Sequence, residues 1–183
     1  IEEISLINFE IPLSEKIRFF LRVEKLYSKA LYFISNNLTN DHQIALKTIF
    51  DLYDLTSRSD VKSDLMQELE KQKLTLEAFY KNPNVDTAKT EEIIKNIDSC
   101  NKKLYISSGK VGQGLKNNEL LLSIKQKTSI PGGICEFDMP AYQHWSSLPS
   151  KERTLDLKEW LLFYEDVFKG VKLSDPDNDK KDN

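Results

Sequence analysis

Histidine, cysteine and basic excess are all scarce in this chain, and each scarcity closes off a class of chemistry. The two histidines, His42 and His144, stand far apart, and neither has a metal-binding neighbour at ligand spacing. Each reads as a surface or packing residue, and no Ser/His/Asp arrangement is built around either. The two cysteines, Cys100 and Cys135, make no CxxC pair and no Cys/His spacing suited to zinc. The first residues lack a basic-then-apolar export pattern, so the expectation is reduced thiols in a cytosol. No apolar run approaches the roughly 18 residues of a membrane span. A net charge of −3 over 183 residues argues against a general nucleic-acid binder. The glycine-bearing loop Ser107 to Leu115 (SSGKVGQGL) lacks the GxxxxGK[ST] spacing and follows no βαβ strand, so it is no nucleotide cradle.

What is present is helical text. The composition, 39% hydrophobic and 30% charged, suits one ordinary soluble domain. Residues 1–13 (IEEISLINFEIPL) look like a short strand or extended arm ahead of Ser14, a good helix N-cap with Glu15 beside it. The first helix then runs to about Asn36, with an apolar stripe of Phe19, Val23, Leu26, Ala30 and Phe33. Arg18, Arg22, Lys25 and Lys29 form a basic stripe beside it. Like charges at that spacing repel by a few tenths of a kcal/mol per pair, which a solvated face tolerates and a docking surface for carboxylates would use.

Thr39-Asn40-Asp41 starts a second helix through Ile44, Ile49, Leu52 and Tyr53 to about Leu55. Ser59-Asp60 starts a long third one, packing through Val61, Leu65, Leu69, Leu76 and Phe79. The break at Asn82-Pro83-Asn84 leads to a fourth, from Asp86 or Thr87, with Ile93, Ile97, Cys100 and Leu104 inward. The short connection predicts an antiparallel hairpin, and Cys100 on that stripe reads as packing. From Asn101 to Thr128, six lysines stand against one acid, Glu119, and a short helix is expected from Asn118 to Lys127. Ser150 reads as the cap of one final helix carrying Leu157, Trp160, Leu161, Tyr164 and Phe168. The closing LSDPDNDKKDN has little to bury and reads as disordered or a linker. The carboxylates spread along helix faces; Asp138 alone stands out, and it suits capping better than acid-base work.

The stretch Ser129 to Trp145, SIPGGICEFDMPAYQHW, concentrates two of the six glycines and two of the six prolines. It predicts a sharp turn at Pro131-Gly132-Gly133, an extended run, and a new helix opening at Pro140. Its SIPGG-x-C-x-FD-x-P-x4-W arrangement resembles the signature of the ZapD family, bacterial adaptors that bundle filaments of the tubulin-like division protein FtsZ. A second block, FEIPLSEKIRFFLRVEKL from Phe9 to Leu26, is similar to the family's opening helix. The resemblance covers roughly residues 4 to 170.

That resemblance implies a mainly α, multi-helix bundle: an extended arm over 1–13, a helical domain over 14–172 with a Pro-Gly corner near 130–140, and a tail over 173–183. Family members add a β-rich C-terminal part, so this chain is expected to be a fragment or a natural variant lacking it. The implied function is that of a cytoplasmic, mid-cell division adaptor and not an enzyme, with no cofactor. It would bind the FtsZ C-terminal tail and act as a homodimer, without nucleic acid or membrane. The resemblance points to Arg18, Arg22, Lys125 and Lys127 as partner-binding residues; the charge pattern adds Lys25 and Lys116, and Gln143 is expected beside them, with the opening helix and the 116–127 region meeting in space. Glu119 and Gln143 depart from the arginine and histidine common in the family. The alternative is an unrelated helical module that pairs with another coiled coil.

Overall fold

The structure is a computed structural model that describes residues 14–57, 60–79, 86–107, 109–128 and 139–174. The expected arm, the Asn82-Pro83-Asn84 break, the Pro-Gly corner, Asp138 and the tail from 175 lie outside the described residues. Within them the chain is helical, and no strand occurs. The order is α1 (Glu15–Ser35), α2 (Thr39–Ser57), α3 (Val61–Phe79), α4 (Thr87–Ile106), a 3-10 turn (Gln113–Asn117), α5 (Glu119–Thr128), α6 (Pro140–Ser147), α7 (Ser150–Leu162) and α8 (Glu165–Ser174).

α1 begins where the sequence places it. The Ser14 side chain accepts the Lys16 backbone N–H at 3.2 Å, and Glu15 sits in the positive first turn. The residues that bury are Phe20, Val23, Tyr27, Ala30 and Ile34. Phe19, Leu26 and Phe33 are only partly buried against that core. The apolar face is thus broader than a single stripe and is centred about one residue further along, which leaves Phe19 and Leu26 at its margin.

α1 packs on α2 and α7, while α3 and α4 form the expected hairpin with α8 laid across both. α8 also touches α1, where Tyr27 and Phe168 stack with ring centroids 4.1 Å apart, so the two halves share one core. Gly170 is required at this crossing: a Cβ there would lie 2.7 Å from Leu65 Cδ2 and 3.1 Å from Cys100 Sγ. Cys100 is buried, and that burial, with Asp166 nearby, pushes its thiol pKa up. It packs rather than reacts.

The expected final helix is two helices. Tyr164 breaks it, with its N–H bonded to the Leu161 carbonyl, and Glu165-Asp166 open α8. The break changes partners: α7 serves α1 and α2, whereas α8 serves α3 and α4. Nor does Ser150 cap α7; its hydroxyl donates to Asn37 Oδ1 at 2.9 Å, and Pro149 holds the cap position. Leu65 and Leu69 of α3 bury as expected, but Phe79, at the last position of α3, is 49% exposed.

The lysine-rich segment is anchored on the α7–α8 break. Gly112 takes a positive φ of 73°, and a side chain there would run into the Tyr164 ring. The 3-10 turn therefore sits directly on a buried tyrosine, and Asn118 caps α5 by accepting the Leu121 N–H at 3.1 Å. α5 leaves this anchor pointing its last turn, with Lys125 and Lys127, toward α2 and α6 respectively.

Candidate functional site

Two features turn on arginine, one at the surface and one buried. The first is a groove of ≈ 620 Å³ between α1 and α2, lined by Phe19, Arg22, Lys25, Leu26, Lys29, Asp51, Asp54 and Leu55. Its floor is apolar because Phe19 and Leu26 lie at the margin of the α1 core face, and Leu55 is likewise half-buried. Arg22, Lys25 and Lys29 form one wall, all exposed. None of the three makes an ion pair among the described residues.

Asp51 and Asp54, one turn apart on α2, form the other wall. Lys125 reaches across from α5 to Asp54, 2.7 Å from Oδ1 and 2.9 Å from Oδ2, with its ammonium 5.4 Å from the Tyr53 ring centre. Asp51 is exposed and makes no ion pair among the described residues. Loss of solvent around it raises its carboxyl pKa, and Lys47 and Lys29 counteract that only partly.

Of the residues expected to bind a partner, the structure gathers Arg22 and Lys25 in the groove and brings Lys125 to its rim through Asp54. Arg18 is exposed one turn earlier on α1 and pairs with Glu15 at 2.8 Å. Lys127 lies in a second depression between α5 and α6, with Glu119, Leu120, Met139 and Pro140. Gln143 is exposed on α6, and Lys116 is exposed on the 3-10 turn and lines neither hollow. Sequence reading missed the two carboxylates of α2. Their signal was the DLYD run, which sets Asp51 and Asp54 at i, i+3 on one helix flank.

The second feature is buried. Arg153 of α7, 5% exposed, donates Nε–H to His42 Nδ1 at 3.1 Å and NH1 to the Ser146 and Leu148 carbonyls. His42 Nε2 lies 2.6 Å from the Asn36 carbonyl, which can only accept, so Nε2 carries the proton and Nδ1 the lone pair. The guanidinium thus sits at the negative C-terminal end of α6 without a carboxylate partner among the described residues. His42 is a core residue that ties α2 to the α1–α2 turn. His144 is exposed.

Among the described residues no three His, Cys, Asp or Glu side chains are grouped to hold a metal ion, and no helix is long and apolar enough to cross a membrane. The molecule is a helical bundle that carries an apolar groove between a cationic and an anionic wall. A family model described as "ZapD: Cell division protein" matches residues 21–174, and the chain belongs to that family. It is 43% identical over 155 residues to the cell division protein ZapD of Chromobacterium violaceum, covering 85% of this chain and 62% of that protein. It is 39% identical over 170 residues to that of Nitrosomonas europaea, covering 93% of this chain and 65% of the relative. The chain thus spans less than two thirds of the length of these relatives.

Proposed function

We propose that this chain is the helical part of a cell-division adaptor that captures the C-terminal tail of FtsZ in the α1–α2 groove. As a dimer it would cross-link neighbouring filaments and so support assembly of the division ring. The observation that carries this reading is the set of three exposed α1 cations, Arg22, Lys25 and Lys29, beside an apolar floor and without an ion pair among the described residues. Unpaired arginine offers bidentate contacts to a carboxylate, and the floor offers burial to an apolar side chain between charges. Surface charges are screened over roughly 8 Å at physiological ionic strength, so capture is salt-sensitive and moderate in affinity. Two such grooves in one dimer raise the apparent affinity for a filament through effective concentration.

The test is co-sedimentation with polymerised FtsZ of the same organism, with and without its tail, and with Arg22→Glu. The wild-type chain pellets with intact FtsZ only, and Arg22→Glu stays in the supernatant while keeping its helicity. Undiminished pelleting of Arg22→Glu at low salt overturns the groove as the site. The coiled-coil alternative draws little from α3: its exposed Leu74 and Phe79 are five positions apart, about 140° around the helix, and form no stripe.

A further inference from the structure

The groove has two walls of opposite charge, and capture of an acidic tail uses only one of them. An anion-binding surface gains nothing from a carboxylate across the floor, since an acidic ligand lying there is repelled by it. Asp54 is already answered by Lys125, at 2.7 Å. Asp51 is not: it is exposed, makes no ion pair among the described residues, and belongs to the same groove as Arg22 and Lys25. Its nearest helix-neighbour cation, Lys47, lies one turn back, and the two do not close to an ion pair.

We propose that the groove reads charge on both walls, taking a short amphipathic peptide segment whose carboxylate meets Arg22 and Lys25, whose apolar side chain covers Phe19, Leu26 and Leu55, and whose Lys or Arg meets Asp51. This deepens the docking reading above and rests on it. A segment with all three features is held in one direction across the floor, because reversing it sets like charges together at both walls. Asp51 is then a specificity residue: it selects mixed-charge segments over uniformly acidic ones.

The two models give opposite signs for one substitution. Where simple acidic capture holds, Asp51→Asn removes a repulsive charge and tightens binding. Where both walls read charge, Asp51→Asn weakens binding of the FtsZ tail peptide by about twofold to fivefold, the range for an exposed ion pair. The experiment is fluorescence anisotropy with two labelled peptides, the FtsZ tail and a copy with every Lys and Arg replaced by Gln. Each is titrated with the wild-type chain, Asp51→Asn and Arg22→Glu at low salt. The expected result is that Asp51→Asn weakens the native tail but tightens the Gln copy, which has no cation to set against the lost carboxylate. Tighter or unchanged binding of the native tail, or equal weakening of both peptides, overturns the proposal. If the wild-type chain fails to bind the tail, the docking reading falls and takes this one with it. If the tail binds, and Arg22→Glu abolishes that while Asp51→Asn tightens it, only the two-wall reading fails.

Discussion

Arg22 and Arg153 carry the same guanidinium in opposite settings. Arg153 is buried, and its donors are spent on His42 and on two carbonyls at the end of α6, so it fastens α2, α6 and α7 together. Arg22 is exposed on α1, has no ion pair among the described residues, and lines a groove. A buried cation must be satisfied internally, because desolvation without hydrogen bonds costs several kcal/mol. An exposed one leaves its donors free for whatever approaches. The contrast sorts structural charge from charge that is open to a partner, and substitution can break it at either end.

The largest effect belongs to the buried member. Arg153→Met leaves His42 Nδ1 and two carbonyls in the interior without their donor. Each unmet group costs about 1–3 kcal/mol, partly offset by no longer burying a cation, so a net loss of about 3 kcal/mol is expected in urea unfolding. A loss below about 1 kcal/mol would show that the site rehydrates and that burial makes no difference here.

Next comes Arg22→Glu, which reverses the prediction. Unfolding should shift by less than about 0.5 kcal/mol, as for an ordinary surface position. Tail affinity should fall more than tenfold, about 1.4 kcal/mol or more, because a like charge replaces the contact. Lys125→Gln tests the intermediate case, a half-exposed lysine held by Asp54. It should cost under about 1 kcal/mol of stability, since screened pairs contribute little. By baring Asp54 beside the α1 cations it should lower tail affinity about threefold, measured by anisotropy at low salt.

How much of this was legible beforehand differs between the two arginines. The basic stripe of α1 could be read from spacing alone, because an exposed helical face needs only its own 3.6-residue period. The Ser14 cap, the α3–α4 hairpin and Cys100 as packing followed from equally local signals. Arg153 could not be read, since its meaning depends on His42, 111 positions earlier in the chain. The α7–α8 break stayed hidden for a similar reason: Leu157, Trp160, Leu161, Tyr164 and Phe168 keep a helical rhythm across it, and only the change of neighbours shows that two helices are involved. Asp51 and Asp54 were visible as charges, but not as the facing wall, because that requires knowing how α1 lies against α2.

The smallest expected effect separates function from stability at a single residue. The pKa of Asp51 is raised above its ordinary 3.8, with loss of solvent as the leading cause and Lys47 and Lys29 opposing it. A carboxyl with a raised folded pKa binds protons more tightly in the folded state, so its contribution to stability falls as pH rises through the interval above 3.8. At neutral pH the ionised Asp51 therefore weighs slightly against folding. Asp51→Asn removes that penalty and should raise stability at pH 7 by no more than about 0.5 kcal/mol, given how well water screens an exposed charge. The advantage should shrink as pH falls toward 4, where the wild-type carboxyl takes up its proton, and paired thermal melts across that range measure it. A carboxylate that costs the fold a little and lowers tail affinity when removed is placed for a ligand. One that stabilises at pH 7 would instead belong, with Arg153, to the architecture.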